Sequence, residues 1–226
     1  MPAAGAGGGT GLDADRTLAL TYVPARRRPG VEALWRLDLA LGQVLAGGRD
    51  PMLSRIKLVW WRDRLEELDR ARAPAEPVLQ ALAEHVIGRG VAGAALAPMV
   101  EGWAALLSED PLTQADLDTY AGARGGLLFR HSAVLLGGEA DGGVEQGGEA
   151  WALVDLARHS NPVDAEAALA AAGRRLAAMR WPSALRPIGM LASLAARDVG
   201  RGGAELEPQG VPGRMVRMLR HRLTGS

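Results

Sequence analysis

Apolar residues recur at three- and four-residue intervals along most of the chain, and this spacing predicts a succession of helices. Val31–Leu45 carries Leu34, Leu37, Leu41 and Val44 on one face. GGRDP then breaks the pattern, and Asp50 as N-cap with Pro51 in the first helical position opens the next helix. That helix contains RIKLVWWRDRLEELD (Arg55–Asp69), which sets two of the chain's six tryptophans side by side. Neighbours on a helix point about 100° apart, so both indoles are buried only if the helix is covered on a broad side. Trp60 and Trp61 are therefore expected to cover two neighbouring helices.

EPVLQALAEHVI and AALAPMVEGWAALL predict two more helices, separated by Gly88 and Gly90. Thr113 and Asp116 resemble a capping box and open a helix that runs to Gly137, loosened at Gly125–Gly126. GGEAWALVDLARHS predicts a further helix, and Asn161, Pro162 and Asp164 open the one after it. Pro187 either kinks the following helix or marks its start. A Gly/Glu linker, 200–213, leads to a last short helix, Arg214–Leu223. No segment alternates in the manner of a strand, and Ile, Thr and Phe are scarce. The expected fold is all-α, a single-domain bundle of roughly eight helices. Residues 1–14 are expected to form a disordered tail, 15–199 the helical domain, and 200–226 the linker and a basic amphipathic helix.

Charge narrows the function. Lys+Arg and Asp+Glu are both 26, so there is no basic excess of the kind a general nucleic-acid binder needs. Lys57 is the only lysine, and no cysteine is present, which excludes disulfides and thiolate chemistry. No apolar run is long enough for a transmembrane segment, and the N-terminus has neither the basic start nor the apolar stretch of a signal peptide. GAGGG follows no strand and is not a dinucleotide loop.

The candidate chemistry is sparse. Asp63 and Glu67 share a helix face and are spaced to hold a divalent cation. Arg62–Glu66 and Glu66–Arg70 ion pairs on that surface make a solvated charged face the simpler reading. Asp38 stands among apolar neighbours in LWRLDLALG, where a structural ion pair with Arg36, Arg55 or another arginine is its simplest role. Asp155 repeats the pattern, with Arg158 three residues on. The histidines His85, His131, His159 and His221 form no ligand cluster, and no G-x-S-x-G occurs. VPGRMVRMLRHRL sets Val211, Met215, Met218/Leu219 and Leu223 on one side and Arg214, Arg217 and Arg220 on another. Such a helix lies on an anionic membrane or docks on the bundle, and docking is favoured.

Several stretches together resemble the squalene/phytoene synthase family of isoprenoid synthases: LALTYVPARRRPGVEALWRLD, RDPMLSRIKLVWWRDRLEELD, EPVLQALAEHV, MVEGWAALL, YAGARGGLLF and WALVDLAR. The similarity spans Leu18 to Arg158, and within the family it points to the divergent branch of mitochondrial complex I assembly factors and short bacterial relatives. The resemblance implies an isoprenoid-synthase-like bundle around a central cavity. Active members condense two prenyl diphosphates head to head, with Mg²⁺ held between two Asp-rich helical motifs. In this chain Gly42 and Gln43 stand at the first motif's Asp pair, Ala46 at its third acid, and Leu39 at the arginine before it. In the second motif Arg158 matches the arginine, while His159 replaces an aspartate and Asp155 an asparagine. The Gly-Arg-Tyr stretch that follows in active enzymes is absent.

Two isolated acids, Asp38 and Asp155, cannot neutralise two diphosphates, so the condensation is expected to be lost. The residues expected at the cavity or a binding site are Arg36, Asp38, Gln43, Tyr120, Arg124, Asp155, Arg158 and His159, with no catalytic residue and no metal ligand. The expected function is a non-catalytic binding or assembly factor without a cofactor, partnered by a protein in respiratory complex assembly. It is placed in the cytoplasm or peripherally at the inner membrane, with Arg214, Arg217 and Arg220 facing the partner or membrane. Two alternatives stand beside it. One is an active prenyltransferase using Asp38, Asp155 and Asp164 around Mg²⁺; the other is an isoprenoid or lipid carrier with an intact apolar cavity.

Overall fold

The computed structural model describes residues 11–48, 50–108, 111–176, 179–202 and 206–226. Of the tail expected at 1–14, residues 1–10 lie outside the described residues, and Asp13 caps a helix. That helix, α1 (Ala14–Thr21), starts where the Asp13 carboxylate accepts from the Arg16 N–H. α2 (Arg28–Ala46) follows, then α3 (Pro51–Glu67), where Asp50 accepts from the Met52 N–H and Pro51 sits in the first turn, as expected. α4 (Pro77–His85) is capped by Glu76. Gly88 and Gly90 close the turn after it at φ +77° and +91°, a region that strains any residue with a Cβ. The single helix expected from AALAPMVEGWAALL is two, α5 (Gly93–Leu96) and α6 (Met99–Ala104), with Pro98 between them. Proline has no N–H to continue a helix.

Thr113 and Asp116 do form a capping box, at the start of α7 (Gln114–Tyr120). α7 runs through a wide π-helical turn, Ala121–Gly126, straight into α8 (Leu127–Leu135). The loosening expected at Gly125–Gly126 is this turn. Gly125 meets Gly148 of α9 (Gly142–Ala157), and a Cβ on either would strike the other's carbonyl oxygen. Backbone-to-backbone contact thus seats α9 against the wide turn. α9 also packs on α8, α10 (Pro162–Arg175) and α11 (Arg186–Gly200). Asn161 caps α10, and Pro187 marks the start of α11 rather than a kink. The last helix, α12 (Pro212–Thr224), packs on α11 and α1.

No strand occurs among the described residues, so the fold is all-α as the periodicity predicts. The helices beyond the expected eight are short: α1, and the pieces made by Pro98 and the wide turn. The core runs continuously through Leu34, Leu37 and Leu41 of α2, Leu58 and Leu65 of α3, and Phe129 of α8. Each such side chain stabilises by about 1.5–3 kcal/mol. Trp35 Nε1 donates to Ser132 Oγ at 3.1 Å and ties α2 to α8 through a buried hydrogen bond. The tryptophan pair divides: Trp61 is buried, whereas Trp60 is 42% exposed. The two rings meet edge to face, centroids 5.4 Å apart.

Candidate functional site

The bundle's interior is occupied by a charged cluster centred on Arg124, which the wide turn aims inward. Its guanidinium is buried and grips Asp38 of α2 with both arms, Nε to Oδ1 at 2.8 Å and Nη2 to Oδ2 at 3.0 Å. Nη2 also meets Asp155 Oδ2 of α9 at 2.7 Å. Nη1 donates to the Tyr120 hydroxyl, one turn earlier on the same helix. The planar cation lies against three rings: Cζ is 4.3 Å from the centroid of Trp103, 5.0 Å from Trp151 and 5.3 Å from Tyr120. Arginine suits this place because its fork serves two carboxylates while its faces stack on aromatics.

A second arginine completes the cluster. Arg16 of α1 brings Nη1 to within 3.0 Å of Asp38 Oδ2 and Nε to within 3.0 Å of Asp13 Oδ2, and its Cζ sits 4.8 Å from the Trp151 centroid. Those contacts are Coulombic rather than hydrogen bonds, since Nε and Nη1 of Arg16 have no aligned acceptor. Trp103 Nε1 donates to Asp38 Oδ1 at 3.2 Å. Burial would raise the Asp155 carboxyl, but Arg124, Arg16 and His159 outweigh it and hold it at about 2. Burial, helped by Asp155 and Asp38 and opposed by Arg124, pushes the Tyr120 hydroxyl well above its ordinary range. Burial would lower the Arg124 guanidinium, yet Asp38, Tyr120 and Asp155 raise it, so its charge is fixed.

A neighbouring cluster fastens α12. Arg214 gives Nε to Asp15 Oδ2 at 2.9 Å and Nη1 to both Asp198 oxygens at 2.8 and 2.7 Å. Asp198 Oδ2 also accepts from Arg158 Nη2 at 2.6 Å, and Arg158 Nη1 reaches the Glu207 carbonyl at 2.6 Å. The cavity between the two clusters, lined by Asp13, Asp155, Arg158, Asp198 and Arg214 among others, is about 10 Å³. That is room for one water at most.

These contacts redistribute the residues expected at a cavity. Asp38, Tyr120, Arg124 and Asp155 come together, and Arg158 joins the α12 cluster instead. Arg36, Gln43 and His159 are exposed. Arg36 does not pair with Asp38; it lies on the outer side of α2 and binds Glu32 one turn back at 2.7 Å. Arg55 reaches the Leu107 carbonyl instead. His159 Nδ1 contacts the Asp155 carbonyl at 2.8 Å. Arg214 is buried and so is not part of a free basic face, whereas Arg220 is exposed. α12 turns its Arg214–Met218–His221 edge inward and leaves Met215, Val216, Leu219 and Leu223 outside, so of the expected apolar face only Met218 is buried. The buried carboxylates of Asp15 and Asp198 require a cation, and that demand outweighs apolar burial.

The acids of α3 are also differently used. Asp63 pairs with Arg62 and Glu67 with Arg64, at 3.2 and 2.7 Å, in place of the expected Arg62–Glu66 and Glu66–Arg70 pairs. Asp69 accepts from the N–H groups of Gly93 and Ala94 and caps α5. Asp164 accepts from Leu112 N–H and Asn161 Nδ2. Among the described residues no three His, Asp or Glu side chains are grouped as metal ligands would be. Sequence reasoning missed Arg16, Asp13, Trp103 and Asp198. Asp198 carried the signal that exposed Asp38, a lone acid after an apolar helical run (LASLAARD).

The sequence model described as squalene/phytoene synthase matches residues 11–176. No curated protein and no solved structure matches the chain.

Proposed function

The chain belongs to the squalene/phytoene synthase family, and from that premise we propose that it is a member without the family's metal chemistry, working as a binding or assembly factor. The observation that carries this reading is the double engagement of Arg124. One buried guanidinium holds both Asp38 and Asp155, acids that a metal at the bundle's centre would need. Mg²⁺ prefers an octahedron of oxygens, several supplied by carboxylates, water and substrate phosphate. Here a cation that cannot lose its charge already occupies the carboxylates, and Trp103 and Trp151 close over it. The residues present do not fit Mg²⁺ with a diphosphate, and no cofactor is assigned.

Two further features support the same reading. In the register that the resemblance gives, Gly42 stands at an acid of the first motif, and the Trp103 ring fills the space beside it. The cavity beside Asp155, about 10 Å³, is too small for a prenyl chain at that place, which supports this reading over a carrier that holds its isoprenoid between the two clusters. A protein partner in respiratory complex assembly, and a peripheral place at the inner membrane, follow from the resemblance alone. No helix among the described residues is long and apolar enough to cross a membrane.

The test is direct. The purified full chain is incubated with Mg²⁺ and farnesyl or geranylgeranyl diphosphate, and release of pyrophosphate is followed. No release and no condensed product is the expected result; turnover would overturn the proposal in favour of an active prenyltransferase. Mass spectrometry of lipid extracted from the same preparation checks the carrier alternative, and a stoichiometric isoprenoid there would revive it.

A further inference from the structure

α3 turns a continuous apolar surface to solvent. Met52, Leu53, Ile56, Val59 and Trp60 lie on successive turns and are 42–64% exposed. At about 100° per residue they span an arc of about 120° on one side of the helix. Ser54, Leu58, Trp61 and Leu65 are buried on the opposite side. The helix therefore has two apolar faces, and the bundle uses one of them.

The charges around the outer face are ordered. Arg55 borders it on one side and Lys57 on the other, both exposed. No acid occurs from Pro51 to Arg62. At the far end, Asp63 and Glu67 fall in line with the stripe, and Arg62 and Arg64 already pair with them. A second copy of the chain fits poorly, because two-fold pairing across this face would set Arg55 and Lys57 against the mate's own cations. A negatively charged surface fits the same border well.

We propose that this face of α3 seats on an anionic lipid bilayer. Met52, Leu53, Ile56 and Val59 enter the boundary between headgroups and acyl chains, with the Trp60 indole at that level. Lys57 extends sideways to the headgroup phosphates, as long cationic side chains do along an apolar surface, while Arg55, held by the Leu107 carbonyl, adds its charge and remaining N–H groups on the other border. The face is separate from the Arg124 cluster, so the proposal holds whether or not the chain is catalytic.

Co-flotation of the full chain with vesicles of equal parts phosphatidylglycerol and phosphatidylcholine tests it, with pure phosphatidylcholine vesicles as comparison. Binding to the anionic vesicles is expected, with about tenfold weaker binding to the neutral ones. Ile56→Ser with Trp60→Ser should reduce binding by about tenfold or more. Arg55→Glu with Lys57→Glu should reduce it by about tenfold on the anionic vesicles. Circular dichroism unchanged from the native chain shows that these surface variants are folded. Three results would overturn the proposal. One is no flotation of the native chain. Another is flotation insensitive to α3 changes but abolished by Leu219→Ser with Leu223→Ser on α12. The third is a native dimer that Ile56→Ser with Trp60→Ser converts to a monomer without change in flotation.

Discussion

The Trp103 indole occupies the space a side chain at Gly42 would need: a Cβ there would lie 2.8 Å from Cη2 and 3.1 Å from Cζ2. The same indole donates to Asp38 and stacks on Arg124. Restoring an acid by Gly42→Asp therefore pushes on the central cluster. The variant is expected to lose about 1–3 kcal/mol through overpacking. Thermal unfolding measures the loss, and calorimetric titration with Mg²⁺ should show no binding gained.

Arg124 is the group whose removal should cost most. Arg124→Leu leaves Asp38 and Asp155 facing each other with one cation lost, and a broken buried ion pair costs about 3–5 kcal/mol. Urea denaturation of Arg124→Leu, of Asp38→Asn with Asp155→Asn, and of the triple variant forms a cycle. The triple variant is expected to be more stable than Arg124→Leu alone. If the losses simply add, the cluster is not a coupled unit.

Acid should weaken the fold through His221 before it reaches the carboxylates. The ring is buried beside Trp181, neither nitrogen has a hydrogen-bond partner, and a Cβ on Gly189 would strike Nε2. Burial first, then Arg217 and Arg186, lowers its pKa from 6.5 to about 4. The folded state keeps the ring neutral, so the unfolded chain takes up its proton first as pH falls. This contribution is complete above pH 6.5 and is lost as pH falls through about 4. In urea melts across that range, His221→Leu should flatten the slope.

The Asp155 carboxylate acts in a lower window. Its pKa is held at about 2 against an ordinary 3.8, so its stabilisation is present above 3.8 and lost as pH falls through about 2. Asp155→Asn should remove that part of the acid limb and leave the His221 limb in place.

Arg214 is the fastening of α12. Arg214→Met keeps the volume but leaves Asp15 without its cation and Asp198 with Arg158 alone, with an expected loss of about 3–5 kcal/mol. Amide hydrogen exchange should show α12 losing protection well before α9. Equal loss in both helices would mean that α12 belongs to the central cooperative unit.

Local signals made much of the fold legible. Asp50–Pro51, Thr113/Asp116 and Asn161–Pro162 fix helix starts by contacts within a few residues, and all three are where the spacing put them. Long-range partners were not legible. Asp38 read as an acid in need of a cation, but Arg124 lies 86 positions away and nothing local points to it. Asp13 was hidden because its segment read as tail, and Arg16 because no helix was expected before Val31. The facing of α12 was misread because periodicity weighs apolar residues only, whereas the buried Asp15 and Asp198 decided which edge turns inward.

The wide turn at Ala121–Gly126 has a consequence for how the chain can change. A π turn carries one residue more than an α turn and takes it up by widening locally, so the helices on either side keep the angular phase of an uninterrupted helix. Removing that one residue would let α7 and α8 continue as a regular helix with little rotation of one against the other. Tyr120 on one side and Phe129 on the other, both buried, would keep their places in the core, and the loss would fall on Arg124, which the wide turn carries. The extra residue serves the charged cluster and not the packing of the two helices it joins.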